Sequence, residues 1–167
     1  KLNNVTPKEG LLYQHYSPNG DRLFFTEKNA KKIDAIREAI EYYSKEPYYY
    51  FLLASLIEAA DKVANVSCVY GSFLKKFKPS AIKELVLVPI HTNITIEGKN
   101  KVYQKDVNEI DDKIDIIYLD PPYNSRQYSA NYFVLNYIAH YDKTISLKGK
   151  TGIFCDYYKS RYSSTRK

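Results

Sequence analysis

The side chains with the most chemistry to offer stand together at Asp120-Pro121-Pro122-Tyr123. Asp120 brings a carboxylate, which accepts hydrogen bonds. Pro121 brings a backbone carbonyl and no N–H of its own, and two consecutive prolines fix a turn that aims both acceptors at one point. Tyr123 adds a flat ring for stacking. Two acceptors and a ring suit a planar group that carries amine hydrogens. Such a site works by positioning and preorganised electrostatics, with no covalent intermediate. A turn alone would need one Pro or Gly, so the composition of this run speaks for a ligand.

The elements that must deliver these groups are legible on both sides. The apolar, β-branched run Ile114-Asp115-Ile116-Ile117-Tyr118-Leu119 predicts a buried strand that stops at Asp120. The carboxyl edge of such strands is where open α/β sheets bind small molecules. Upstream, Val102-Tyr103-Gln104 predicts another strand, closed by Asp106, and residues 108–112 a short helix or turn. Downstream, residues 124–132 lead into a helix from Phe133 to about Tyr141.

The first half of the chain reads differently. Residues 1–25 alternate turn signals (Thr6-Pro7, Ser17-Pro18-Asn19-Gly20) with short apolar patches, which predicts short strands or irregular structure. Thr26 is a good N-cap for a helix to about Ser44, with Ala30, Ile33, Ile36, Ile40 and Tyr43 inward and Lys31, Lys32, Arg37 and Glu41 outward. Pro47 breaks the pattern, and a second helix is expected from about Tyr48 to Asn65. Residues 70–80 form a basic loop with aromatics among Lys75, Lys76 and Lys78. Leu85–Pro89 and Thr92–Ile96 are further candidate strands.

Composition narrows the class. The chain carries a net charge of +6, with 18 tyrosines and no tryptophan. A basic, tyrosine-rich surface suits a polyanion whose bases stack on rings, though a biased genome yields the same composition. Cys68, Cys155 and the three histidines are scattered, so no metal site can be written. Free thiols and the lack of a spanning segment or signal peptide predict a cytoplasmic setting. Gly149-Lys150-Thr151 is no P-loop, because position 144 is Thr144 where a glycine is needed. With no methionine anywhere, the sequence is expected to be an internal part of a longer protein.

The run Tyr118 to Tyr128 (Tyr-Leu-Asp-Pro-Pro-Tyr-Asn-Ser-Arg-Gln-Tyr), followed by Ala130-Asn131-Tyr132, resembles the Dam-like class of adenine-specific DNA methyltransferases, above all the restriction–modification type. The resemblance implies a partial Rossmann-like, S-adenosylmethionine-dependent α/β core with a mostly helical insertion. Residues 1–90 would be that insertion, a DNA-recognition region, and residues 91–167 part of the core. It implies Asp120, Pro121, Pro122 and Tyr123 as the catalytic turn that receives a flipped adenine. Asp106 and Asp120 would contact S-adenosylmethionine, and Arg126, Lys75, Lys76 and Lys78 would contact DNA. Double-stranded DNA is the implied partner, a cognate restriction endonuclease the implied companion, and no metal or membrane is called for.

Blander readings stand beside these. Asp106 can be an acid beside a turn, the lysines a solvated loop, and Arg126 a member of a structural ion pair. The family's Gly-x-Gly cofactor loop does not occur among the six glycines, so the cofactor cradle is expected to lie elsewhere. Two alternatives follow: a nucleic-acid-binding piece without activity of its own, or a methyltransferase acting on RNA. A glutamine-directed enzyme would begin the motif with Asn, and Asp120 argues against it.

Overall fold

A computed structural model describes residues 1–91, 101–120 and 125–163. By contact the chain falls into two units, Lys1–Ile90 with Pro122–Lys167, and His91–Pro121. The first holds all the regular elements but one 3-10 turn. Besides three short 3-10 turns (Leu2–Asn4, Pro18–Gly20 and Arg161–Ser163), the described ones are α1 (Leu11–Tyr16), α2 (Glu27–Glu41), α3 (Tyr49–Lys62), α4 (Pro79–Ile82), α5 (Tyr128–Asn131), α6 (Phe133–His140) and an antiparallel hairpin of β1 (Leu147–Lys148) and β2 (Ile153–Phe154).

Helix α2 begins where the sequence predicts. The Thr26 hydroxyl accepts the Asn29 N–H at 3.2 Å, and Ala30, Ile33, Ile36 and Ile40 are fully buried. Helix α3 buries Leu56, Ala59 and Ala60, and α6 buries Phe133, Val134, Tyr137 and Ile138. Aromatic rings tie these helices to the start of the chain. Tyr16 meets Tyr137 edge-on with ring centres 5.1 Å apart, and Phe24 meets Phe133 at 5.8 Å.

Two expectations for α2 are corrected. Arg37 and Lys32, placed on the solvent side by periodicity, are buried. The reason is that α2 is covered on more than one side. The Arg37 guanidinium donates to the carbonyls of Ile138 (2.9 Å) and Ala139 (3.1 Å) at the end of α6. It also pairs with Glu41 Oε2 at 2.7 Å. One turn earlier, the buried Asp34 carboxylate accepts N–H groups from Gly10, Leu12 and Tyr13 at the start of α1, and the Tyr141 hydroxyl. An anion thus meets the amino end of one helix and a cation the carboxyl end of another, as their dipoles favour. Burial pushes the Asp34 carboxyl up against four hydrogen bonds that pull it down.

Residues 1–25 also depart from expectation, because they contain helix α1. Its apolar Leu11, Leu12 and Tyr16 were visible, but its N-cap is Gly10, and the carboxylate that accepts the N–H groups there comes from Asp34, 24 positions on. Leu85–Pro89 forms no strand. Asn3 clasps it instead, its amide donating to Leu87 O at 2.9 Å and its carbonyl accepting from Leu87 N at 2.8 Å. The buried Asn65 does similar work for the basic loop, donating to Leu23 O and Leu74 O and accepting from Lys78 N.

The Gly149–Gly152 segment is a hairpin turn. Gly152 has φ +70° and lies against the Arg22 guanidinium, so a side chain there would meet both strain and a clash. Its carbonyl accepts the buried Tyr16 hydroxyl at 2.7 Å.

The second unit has little internal packing. Val107–Glu109 is a 3-10 turn. Val102–Gln104 and Ile114–Leu119, both predicted as strands, have no strand structure. Ile116 is 89% and Leu119 67% exposed. A strand needs a hydrogen-bonded neighbour, and among the described residues none pairs with this run. The candidate strand Thr92–Ile96 lies outside the described residues. Among the described residues, no helix is long and apolar enough to cross a membrane.

Candidate functional site

Of the D-P-P-Y turn, Asp120 is described and is exposed, while Pro121, Pro122 and Tyr123 lie outside the described residues. Asp106 caps the 3-10 turn: its Oδ1 accepts from Asn108 N at 3.0 Å and Asn108 Nδ2 at 2.8 Å. Around it Lys105 donates to Glu109 O and sits 5.0 Å from the Tyr103 ring centre. Hydrogen bonds from Tyr103 and Lys101 hold the nearby Asp112 below the usual carboxylate range. Asp106 and Asp120 therefore present solvent-facing carboxylates on a short stretch of chain. As hydrogen-bond acceptors they fit the hydroxyl and amine hydrogens of a nucleoside-containing cofactor. Among the described residues, no three His, Cys, Asp or Glu side chains group as a metal site.

The other predicted site residues belong to the first unit. Lys75 and Lys76 are exposed on the basic loop. Lys78 is half-buried, with its ammonium donating to Val66 O at 2.7 Å, which leaves two of its three N–H groups. Arg126 is exposed and lines a cavity of about 540 Å³. Gly71 and Ser72, at the head of the basic loop, line the same cavity, so the structure brings that loop and Arg126 together.

Sequence reasoning missed how this cavity is built. Gln127 uses its whole carboxamide on Ser160, accepting its N–H at 2.7 Å and donating to its carbonyl at 3.2 Å. Ser129 donates to the Tyr158 carbonyl, and Ser163 to that of Arg126 at 3.4 Å. These bonds hold the 157–163 segment beside the segment that follows the D-P-P-Y turn. Asn131 and Tyr157 then face the cavity from its two sides. Gln127 was quoted as part of the motif, but nothing in sequence spacing pointed to Ser160, 33 positions on.

A helical unit with an arginine-bearing cavity, in a sequence that carries Asp120-Pro121-Pro122-Tyr123, is the setting in which the family can be stated. The chain belongs to the D12 class of N6 adenine-specific DNA methyltransferases, whose family model matches residues 1–166. An S-adenosylmethionine-dependent methyltransferase fold goes with that membership.

Among relatives, it is 50% identical over 173 residues to Type II methyltransferase M.NlaIII of Neisseria lactamica, covering 98% of this chain and 51% of that protein. It is 51% identical over 135 residues to Type II methyltransferase M.CviAII of Paramecium bursaria Chlorella virus 1, covering 77% of this chain and 40% of that one. Modification methylase LlaI of Lactococcus lactis subsp. lactis is 38% identical over 157 residues, or 88% of this chain and 25% of that protein. The chain thus spans about half the length of M.NlaIII and less of the other two. No solved structure matches it.

Proposed function

We propose that this protein methylates the exocyclic N6 amine of adenine in double-stranded DNA, as the modification arm of a restriction–modification system. The observation that carries this reading is the family match over residues 1–166, in a chain that retains Asp120-Pro121-Pro122-Tyr123. The names of the relatives, type II methyltransferases and a modification methylase, support it.

The adenine amine is a poor nucleophile because its lone pair is delocalised into the ring. In this reading the Asp120 carboxylate and the Pro121 carbonyl accept its two hydrogens, which favours a tetrahedral nitrogen whose lone pair points outward. Pro122 fixes the turn, and Tyr123 stacks on the base. The base must leave the duplex to reach them, at a cost of a few kcal/mol that stacking offsets in part. S-adenosylmethionine supplies an electrophilic methyl on a sulfonium, and Asp106 and Asp120 are the residues of this chain that would hold it. Residues 1–90 act as the recognition insertion, where Lys75, Lys76 and Lys78 meet phosphates, and Arg126 orients the target strand. Residues 91–167 supply part of a Rossmann-like core, in which Ile114–Leu119 takes its place as a strand once neighbouring strands cover it. A cytoplasmic setting and a companion endonuclease belong to the same reading.

A second reading is DNA binding without transfer by these 167 residues alone, favoured by the lack of any Gly-x-Gly among the six glycines. One assay separates the two. Full-length protein, its Asp120→Ala variant and the 167-residue piece are each given labelled S-adenosylmethionine and unmethylated duplex DNA. The expected result is labelling by the full-length protein alone. No labelling by it on varied DNA would sink the transfer reading, and labelling by the piece would show that its own residues suffice.

A further inference from the structure

We infer that the cavity walled by Asn131, Tyr157 and Arg126 receives one nucleotide of the DNA strand that carries the target base, taking both its phosphate and its base. This rests on the methyltransferase reading only for the identity of the strand. Its lining mixes polar residues such as Ser72, Asn131, Thr151 and Tyr157 with the apolar Phe133 and Ile153, and no carboxylate among the described residues lines it. Its volume, about 540 Å³, lies in the range of about 300–1,000 Å³ typical of small-molecule sites.

The charge around Tyr157 is lopsided. The Lys148 ammonium lies 5.6 Å and that of Lys159 5.5 Å from its ring centre. Lys148 also donates to Cys155 O at 2.8 Å and is anchored there. Lys159 is held by the ring alone among the described residues. Tyr157 is half-buried but Lys159 is exposed, and a cation–ring contact whose cation stays solvated is weak. An arriving base can take its place on the ring while the ammonium turns to the phosphate, so one nucleotide satisfies both groups.

The other wall offers a reader. The half-buried Asn131 lines the cavity, and a carboxamide can pair in bidentate fashion with a base edge. Its backbone carbonyl accepts the Tyr70 N–H at 2.7 Å, which fixes its position. The Gln127–Ser160 pair sets the distance between the walls before any ligand arrives.

The test is photo-crosslinking of the full-length protein to mixed-sequence DNA duplexes that carry 5-iodouracil, with crosslinked peptides read by mass spectrometry. The expected result is an adduct on Tyr157, lost in Tyr157→Ala and reduced at least fivefold in Lys159→Ala. Asn131→Ala should keep the yield but flatten its dependence on neighbouring sequence. Crosslinks confined to other residues, or none at all, would overturn the proposal, as would an unchanged yield in Lys159→Ala. A Tyr157 adduct in a protein that transfers no methyl would keep the cavity and sink the methyltransferase reading. Methyl transfer without the adduct would do the reverse. A stronger adduct on single-stranded RNA than on DNA would also count against the proposal.

Discussion

The helical unit and the 101–120 segment have similarly apolar sequences and opposite fates. In the helical unit Ile33, Ile36 and Phe133 are fully buried, and each buried polar group has a named partner. In the other, Ile116, Ile117 and Leu119 are exposed, and the hydrogen bonds stay within the segment, around a turn and between Lys101 and Asp112. Helices close their backbone bonds internally, so a few amphipathic helices can make a core from local sequence. A strand cannot, and an apolar run without neighbours has nowhere to go.

The comparison can be broken by apolar truncations. Phe133→Ala should cost about 3–5 kcal/mol in urea unfolding, whereas Ile116→Ala in the same 167 residues should stay within about 0.5 kcal/mol. Repeating Ile116→Ala in the full-length protein sharpens it. A cost of about 2–4 kcal/mol there would mean that additional strands cover the run.

Next in size is Asn65→Ala, which removes both donors and the acceptor that hold Leu23, Leu74 and Lys78. It should cost about 2–3 kcal/mol and weaken DNA binding by loosening the loop. Lys75→Ala and Lys76→Ala should leave stability unchanged, each lowering the slope of log affinity against log salt by about one.

The smallest effect concerns Glu41. Its hydrogen bond from Arg37 holds its carboxyl below the ordinary range, so its contribution is present above the unfolded value, about 4.3, and is lost as pH falls through the folded one. The side chain is 57% exposed, and solvent screening keeps the contribution under about 1 kcal/mol. Glu41→Gln should therefore lower the urea midpoint slightly at pH 7, and by less and less as the pH falls below the ordinary carboxylate range.

What could be read in the sequence follows the same divide. Helices α2, α3 and α6 were legible because their signals are local: the Thr26 cap, the apolar period and Pro47. Helix α1 was missed because the carboxylate at its start comes from Asp34, and Arg37 was set outside because periodicity does not know that α6 ends beside it. The Asp120-Pro121-Pro122-Tyr123 motif stood out as a four-residue word. The cavity lined by Arg126 and Tyr157 did not, since Gln127 meets Ser160 only through the fold.

The central claim is adenine methylation, and its most direct test is the identity of the product. Duplex DNA treated with full-length protein and S-adenosylmethionine is digested to nucleosides and separated by mass and retention. The account predicts N6-methyl-2′-deoxyadenosine, absent when Asp120→Ala replaces the native protein. Methyl groups on cytosine alone, or an Asp120→Ala protein that still yields methyladenine, would contradict it.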